Sequence, residues 1–181
     1  MSYYIVMLGA PGSGKGTQTD LLSKAFGYTT FSTGDIIRKE IEEGSEIGQL
    51  ANKFLSNGEL VPDHVIIDMF KKTVQGKYIA EGFISDGFPR TVEQAEAFKC
   101  ILENGKWPIK VFSLEVSLPM LKERLLNRKR SDDTPETIEK RFEIFSAIVT
   151  NLKECFQDNL IQLDGEKSPE EVFQTISDYL R

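Results

Sequence analysis

The chain has 181 residues, 40% of them hydrophobic, and a formal net charge of −6. That length predicts one domain with a sizeable core. The acidic balance argues against broad binding of nucleic acid by charge alone, so any anionic ligand has to be held by a local cluster of cations. No apolar run reaches the roughly 18 residues of a membrane span. The first apolar run has no basic segment before it and leads straight into a glycine-rich loop, so a cleaved signal peptide is not expected. Cys100 and Cys155 are too few for a four-Cys zinc site or a disulfide framework and read as reduced, core-type thiols of a cytoplasmic protein.

Residues 3–8 form an apolar run that predicts a buried strand, and residues 17–26 carry apolar side chains at helical spacing. Between them lies Gly9-Ala10-Pro11-Gly12-Ser13-Gly14-Lys15-Gly16-Thr17. Strand, glycine-rich loop, lysine and helix is the layout of a phosphate-binding loop. Glycines bring backbone N–H groups close to an anion, and the helix start adds partial positive charge and unpaired donors. Lys15 supplies a full charge for the β/γ region of a triphosphate. The general pattern wants Ser or Thr directly after the lysine; here Gly16 intervenes and Thr17 follows.

Further strands are predicted at residues 28–31, 82–85, 110–116 and 160–163. Helices are predicted at 35–43, 47–56, 63–73, 92–104, 118–127, 135–156 and 169–180, several with N-capping residues such as Ser117, Thr134 and Ser168. The alternation predicts an α/β fold, a five-stranded parallel sheet with helices on both faces. Two stretches break the rhythm. Residues 32–61 insert helical sequence with no strand, and residues 127–133 are a polar interruption between two helices. Insertions on such sheets are where substrates are usually covered.

Asp86 follows the apolar strand at 82–85, at the carboxyl end where open sheets bind ligands. Beside a phosphate loop, a carboxylate there suits Mg²⁺ and its waters. Arginine is used sparingly, at 38, 90, 124, 128, 130, 141 and 181. Its planar fork binds phosphate bidentately. Arg124, Arg128, Arg130 and Arg141 cluster around the polar interruption, with Asp132 and Asp133 placed to hold some of these guanidiniums or to cap the next helix.

Seven stretches carry a closer resemblance: Gly9 to Gln18, Ser-Thr-Gly-Asp-Ile-Ile-Arg (32–38), Gly-Glu-Leu-Val-Pro-Asp (58–63), Asp-Gly-Phe-Pro-Arg-Thr (86–91), Arg124 with Arg128, Arg-Ser-Asp-Asp (130–133), and Arg141. In that order and over residues 9 to 141, they resemble the adenylate kinases, whose phosphate loop has the same Gly-Thr ending. The resemblance implies a P-loop NTP hydrolase-type fold and transfer of the terminal phosphoryl group of ATP to AMP, giving two ADP, with Mg²⁺ and no covalent intermediate. It divides the single domain, residues 1–181, into a core (1–31, 62–126, 134–181), an AMP-binding insertion (32–61) and a short lid (127–133). On the ATP side it implies Gly12, Ser13, Gly14, Lys15, Gly16, Thr17, Arg124, Arg128 and Lys167. On the AMP side it implies Thr33, Arg38, Glu59, Leu60, Val61, Gly87, Phe88, Pro89, Arg90, Gln94, Arg130 and Arg141. Lys15, Arg90, Arg128, Arg130 and Arg141 would act at transfer, and Asp86 would orient Mg²⁺ through water. Arg181 alone among the arginines matches no substrate position. A cytoplasmic monomer with no nucleic-acid or membrane partner is expected.

Relative to that family the lid is short. Only Lys129 separates Arg128 from Arg130, and no four-Cys zinc site is present. No metal is expected in the lid, and incomplete shielding of the phosphates predicts some ATP hydrolysis without AMP. Gln94 has two readings, as the second member of a capping box with Thr91 and as an adenine contact, and the adenine is favoured. The sole histidine, His64, reads as a helix-start residue. A pyrimidine monophosphate kinase and a nucleotide switch without transferase activity stand as alternatives; Thr33 and the Leu-Val-Pro-Asp run (60–63) favour AMP over a pyrimidine.

Overall fold

The computed structural model describes residues 2–74, 77–103, 105, 107–128 and 133–181. Its strands are β1 (Tyr4–Gly9), β2 (Thr29–Ser32), β3 (Phe83–Asp86), β4 (Ile109–Glu115) and β5 (Leu160–Asp164). They form one all-parallel sheet in the order β2-β3-β1-β4-β5. The helices are α1 (Lys15–Phe26), α2 (Thr33–Glu42), α3 (Glu46–Leu55), α4 (Asp63–Thr73), α5 (Lys77–Glu81), α6 (Val92–Leu102), α7 (Leu118–Arg128), α8 (Pro135–Cys155) and α9 (Pro169–Leu180). The expected five-stranded α/β architecture is therefore present.

The chain runs outward from β1 to β2, returns to β3, then crosses β1 to reach β4 and β5. β1 sits where the direction reverses, and the carboxyl ends of strands around such a point form the ligand crevice of open α/β sheets. Both faces of β1 are covered, as a central parallel strand requires. Tyr4, Val6 and Leu8 enter one apolar cluster, while Ile5 and Met7 enter another. The first cluster contains a stack of aromatic rings centred on Phe70, whose centroid lies 4.5 Å from Phe88, 5.1 Å from Phe31, 5.4 Å from Phe98 and 5.9 Å from Phe83. The second joins β1 and β4 to α1 and α9 through Leu22, Phe112, Ile176 and Leu180. A small third cluster of Ala10, Leu121, Leu125, Ile138 and Phe142 seats α7 and α8 against the loop that follows β1.

Ser32, Ser45, Thr91, Thr134 and Ser168 each accept a backbone N–H at the start of a helix, the last two within capping boxes. Three details depart from expectation. α1 begins at Lys15, because the end of the glycine loop is already helical. α5, which the sequence pattern leaves as a gap, is too short to display a period. Cys100 is exposed and so is not a core thiol, whereas Cys155 is half-buried and packs against the first apolar cluster. The buried stripe of α6 is Ala95, Phe98 and Leu102, which leaves position 100 on the opposite side. Among the described residues, no helix is long and apolar enough to cross a membrane.

Phe70 is fully buried and holds β2, β3, the loop after β3 and α6 together. Phe70→Ala is expected to cost about 3–5 kcal/mol of folding stability, measured by urea denaturation.

Candidate active site

Past β1 the backbone doubles back tightly. Gly9 has φ 146°, and a Cβ on it would lie 2.5 Å from Ser13 Oγ and 3.0 Å from the Leu114 carbonyl oxygen. Gly14, the N-cap of α1, has φ 98°, a left-handed conformation that favours glycine. No side chain caps α1 and its first turn carries no acid. A helix start left in this state offers unpaired N–H donors and partial positive charge to an anion.

Lys15 Nζ reaches back across this loop and donates to the carbonyl oxygens of Gly9, at 2.9 Å, and Ala10, at 3.0 Å. Burial lowers its pKa to about 8; Asp86 opposes that shift, while Arg90 and Arg128 add to it. Asp86 ends β3 in register with Met7 of β1 and Ser32 of β2. Its Oδ2 lies 3.6 Å from where a Cβ on Gly16 would stand, and its carboxylate makes no hydrogen bond to a described residue. It ends the strand next to β1, beside the loop.

Four arginines, at 38, 90, 128 and 141, lie close enough to Lys15 or to one another to interact. Arg90 Nε donates to the Gly87 carbonyl at 2.8 Å. Dense protein around its guanidinium lowers its pKa, with Arg141 and Arg38 acting in the same direction and Asp86 against them; it remains a cation at any physiological pH. Arg128 grips Asp133 with two bonds, Nε to Oδ2 at 2.9 Å and a terminal nitrogen to Oδ1 at 2.8 Å. Arg141 donates to the same Oδ1 at 3.0 Å. The Asp133 carboxylate is only 1% exposed, so it is a buried anchor between the end of α7 and the first turns of α8. Arg124 donates to the Gly165 carbonyl at 3.0 Å, tying α7 to the turn after β5 that also carries the exposed Lys167. Arg130 and Asp132, with most of the short lid, lie outside the described residues.

Across the cleft, Thr33 Oγ1 donates to the Gly87 carbonyl at 2.8 Å. Arg38 pairs with Asp35 on its own helix. Phe88 and Pro89, joined by a cis peptide bond, are buried, with Phe88 inside the aromatic core, so their backbone rather than their side chains borders the cleft. Glu59 accepts from Lys140 Nζ at 2.6 Å, Leu60 is half-buried and Val61 is buried. Gln94 is 2% exposed. Its backbone N–H donates to Thr91 Oγ1 at 3.2 Å, its Oε1 accepts from the Arg90 backbone N–H at 2.8 Å, and its Nε2 donates to Asp63 Oδ1 at 2.7 Å. The capping reading is thus half present: Thr91 caps, while the Gln94 amide reaches one residue beyond the cap. His64 is exposed at the second position of α4.

The model of the adenylate kinase family matches residues 7–161. The chain belongs to the adenylate kinase family. It is 43% identical over 157 residues to the adenylate kinase of Porphyromonas gingivalis, covering 84% of this chain and 81% of that protein. It is 40% identical over 177 residues to the adenylate kinase of Mycobacteroides abscessus, covering 97% and 98%. Against the adenylate kinase of Parabacteroides distasonis the figures are 38% over 181 residues, covering 96% and 95%. The chain is accordingly an enzyme, a phosphotransferase that moves the terminal phosphoryl group of ATP to AMP, which decides among the alternatives open at the sequence level.

Set against this family's chemistry, three features had no signal along the chain. The carbonyl partners of Lys15 depend on how the loop folds back. The pair between Glu59 and Lys140 joins segments 81 residues apart, and the bond from Gln94 to Asp63 spans 31. Only the Pro62-Asp63 helix start is visible locally. Removing the buried anchor with Asp133→Ala is expected to leave two guanidiniums without their shared carboxylate and to lower stability by about 2 kcal/mol, read by urea denaturation.

Proposed function

We propose that the cleft at the carboxyl ends of β1 and β3 is where phosphoryl transfer occurs, and that the residues around it divide between the two nucleotides. The observation that carries this reading is placement: Lys15 Nζ folds over the loop after β1 onto the Gly9 and Ala10 carbonyls, Asp86 Oδ2 stands beside Gly16 of that loop, Arg90 is held on Gly87 just past Asp86, and Arg128 and Arg141 share Asp133. On this reading Gly12, Ser13, Gly14, Lys15, Gly16 and Thr17 wrap the phosphates of ATP, Arg128 contacts them, and Arg124 and the backbone at Lys167 border the adenine. Thr33, Arg38, Glu59, Leu60, Val61, Gly87, Phe88, Pro89, Arg90 and Gln94 hold AMP. Arg130 and Arg141 bridge the two phosphate groups at transfer.

Two polyanions repel as they approach. Phosphoryl transfer asks little covalent chemistry of the protein, so positioning and charge stabilisation carry the catalysis. The acceptor is already an ionised phosphate oxygen, so no general base is needed, in keeping with an exposed His64 on α4. Asp86 fits a divalent cation, having a carboxylate that no described residue hydrogen-bonds, and it would hold Mg²⁺ through water. When bound with ATP, Mg²⁺ neutralises phosphate charge. The insertion at 32–61 and the lid at 127–133 would cover the nucleotides against water, the competing acceptor, with the short lid shielding the phosphates incompletely. This reading needs no second chain, nucleic acid or membrane and describes a cytoplasmic monomer without zinc.

Coupled conversion of ATP plus AMP to ADP tests the reading through Arg90→Ala. Turnover is expected to fall about 100-fold or more and the KM for AMP to rise, with ATP affinity within about twofold of wild type. An unchanged AMP response would remove Arg90 from the acceptor site.

Lys15 adds a pH dependence. Its pKa is lowered to about 8 in the free protein. A polyphosphate beside Nζ favours the ammonium and raises that value. Above about pH 8 the free protein has lost a proton that the complex retains, so ATP binding takes up a proton and weakens as pH rises. Calorimetry near pH 8.5 in two buffers of different ionisation enthalpy is expected to show uptake of roughly three-quarters of a proton, absent in Lys15→Met. Equal uptake in both proteins would overturn this.

A further inference from the structure

Asp63 is the first residue of α4, directly after the inserted segment, yet its carboxylate is spent on α6. Oδ1 accepts from Gln94 Nε2 at 2.7 Å and Oδ2 accepts from Thr91 Oγ1 at 2.8 Å. Thr91 Oγ1 in turn accepts the Gln94 backbone N–H. The carboxylate is therefore held at both oxygens, and the Gln94 amide is held at both ends.

The chemistry of these partners leaves one orientation for the amide. The Arg90 backbone N–H can only donate, so it requires Oε1 opposite it. An ionised carboxylate can only accept, so Asp63 requires Nε2 opposite it. Turning the amide over would set N–H against N–H at one end and oxygen against carboxylate at the other. After both bonds are counted, the amide keeps one N–H and one lone pair. A 6-amino purine offers a donor at N6 and an acceptor at N1, which one amide orientation matches. A 6-oxo purine offers an acceptor at O6 and a donor at N1, which needs the reverse.

We propose that Asp63 is a positioning residue that fixes the orientation of the Gln94 amide and thereby selects a 6-amino over a 6-oxo purine monophosphate at the acceptor site. The inference rests on the reading of Gln94 as a contact to the acceptor base. Without Asp63 only the Arg90 N–H opposes the turned-over amide, and the reversed pattern becomes accessible. Asparagine at this position keeps an oxygen for Gln94 Nε2 and can turn its own N–H toward Thr91.

The test compares kcat and KM for AMP and for inosine monophosphate, with ATP as donor, in the intact enzyme. In Asp63→Ala the KM for AMP is expected to rise about tenfold and the AMP-to-inosine monophosphate ratio of kcat/KM to fall about tenfold, with the KM for ATP unchanged. Asp63→Asn is expected to stay within about threefold of wild type in both. If Asp63→Ala does not fold, Asp63→Ser serves instead, since serine suits a helix start but cannot span to Gln94. An unchanged ratio in the alanine or serine variant, or an asparagine variant as impaired as alanine, overturns the proposal. Gln94→Met separates the two layers. If it retains the base preference, Gln94 does not read the base and the inference falls with that reading. If it loses the preference while Asp63→Ala keeps it, only the positioning role is wrong.

Discussion

Burial costs Lys15 part of its affinity for a proton, and two neighbouring guanidiniums press in the same direction. Keeping Lys15, Arg90, Arg128 and Arg141 in place around the end of β1 is the constraint to which the surrounding contacts answer. A surface that gathers Lys15, Arg90, Arg128 and Arg141 must hold them against one another. It does so with few anions. Asp133, almost wholly inaccessible, holds Arg128 and Arg141 together. Asp86 offsets part of the charge on Lys15 and Arg90 while making no hydrogen bond to a described residue. Carbonyl oxygens do the remainder: Gly9 and Ala10 for Lys15, Gly87 for Arg90 and Gly165 for Arg124. Neutral acceptors orient a cation without cancelling its charge, so the field is kept for the ligand.

The scaffold behind these groups is correspondingly stiff. Phe88 lies between the carboxylate Asp86 and the guanidinium of Arg90 in the chain, and its ring is locked against Phe70, Phe31 and Phe98. The Leu121 and Leu125 side chains of α7 pack beside Ala10 of the loop, so the helix that carries Arg124 and Arg128 is referenced to the phosphate loop itself. Preorganised charge costs no rearrangement at the moment of transfer, which is the benefit of building the site on core elements rather than on free loops.

Much of this was legible along the chain. The glycine loop, the alternation of strands and helices, and the Asp86 to Thr91 segment are local patterns, and local patterns reflect backbone conformation and one-dimensional periodicity. All five strands fall within a residue or two of their expected places; β1 and β3 are short apolar runs buried along nearly their whole length, while the edge strands β2 and β5 each bury a single residue, Phe31 and Leu163. α5 escaped notice because five residues show no period. Cys100 was misread because cysteine is usually buried, whereas its place on α6 lies outside the apolar stripe.

What the sequence alone determined was the inventory and its order: a phosphate loop, one carboxylate at a strand end, a selective set of arginines, and a parallel sheet to carry them. These follow from residue type and from spacing within a single element. Only the tertiary structure decided the pairings: Arg128 and Arg141 on one buried carboxylate, Glu59 against Lys140, and Gln94 bonded to Asp63 of another helix. Glu59 and Lys140, and Gln94 and Asp63, lie far apart along the chain, whereas Asp133 lies close to both its arginines and only its choice over Asp132 needed the fold; a hydrogen bond depends on distances of a few tenths of an ångström that no composition or period encodes.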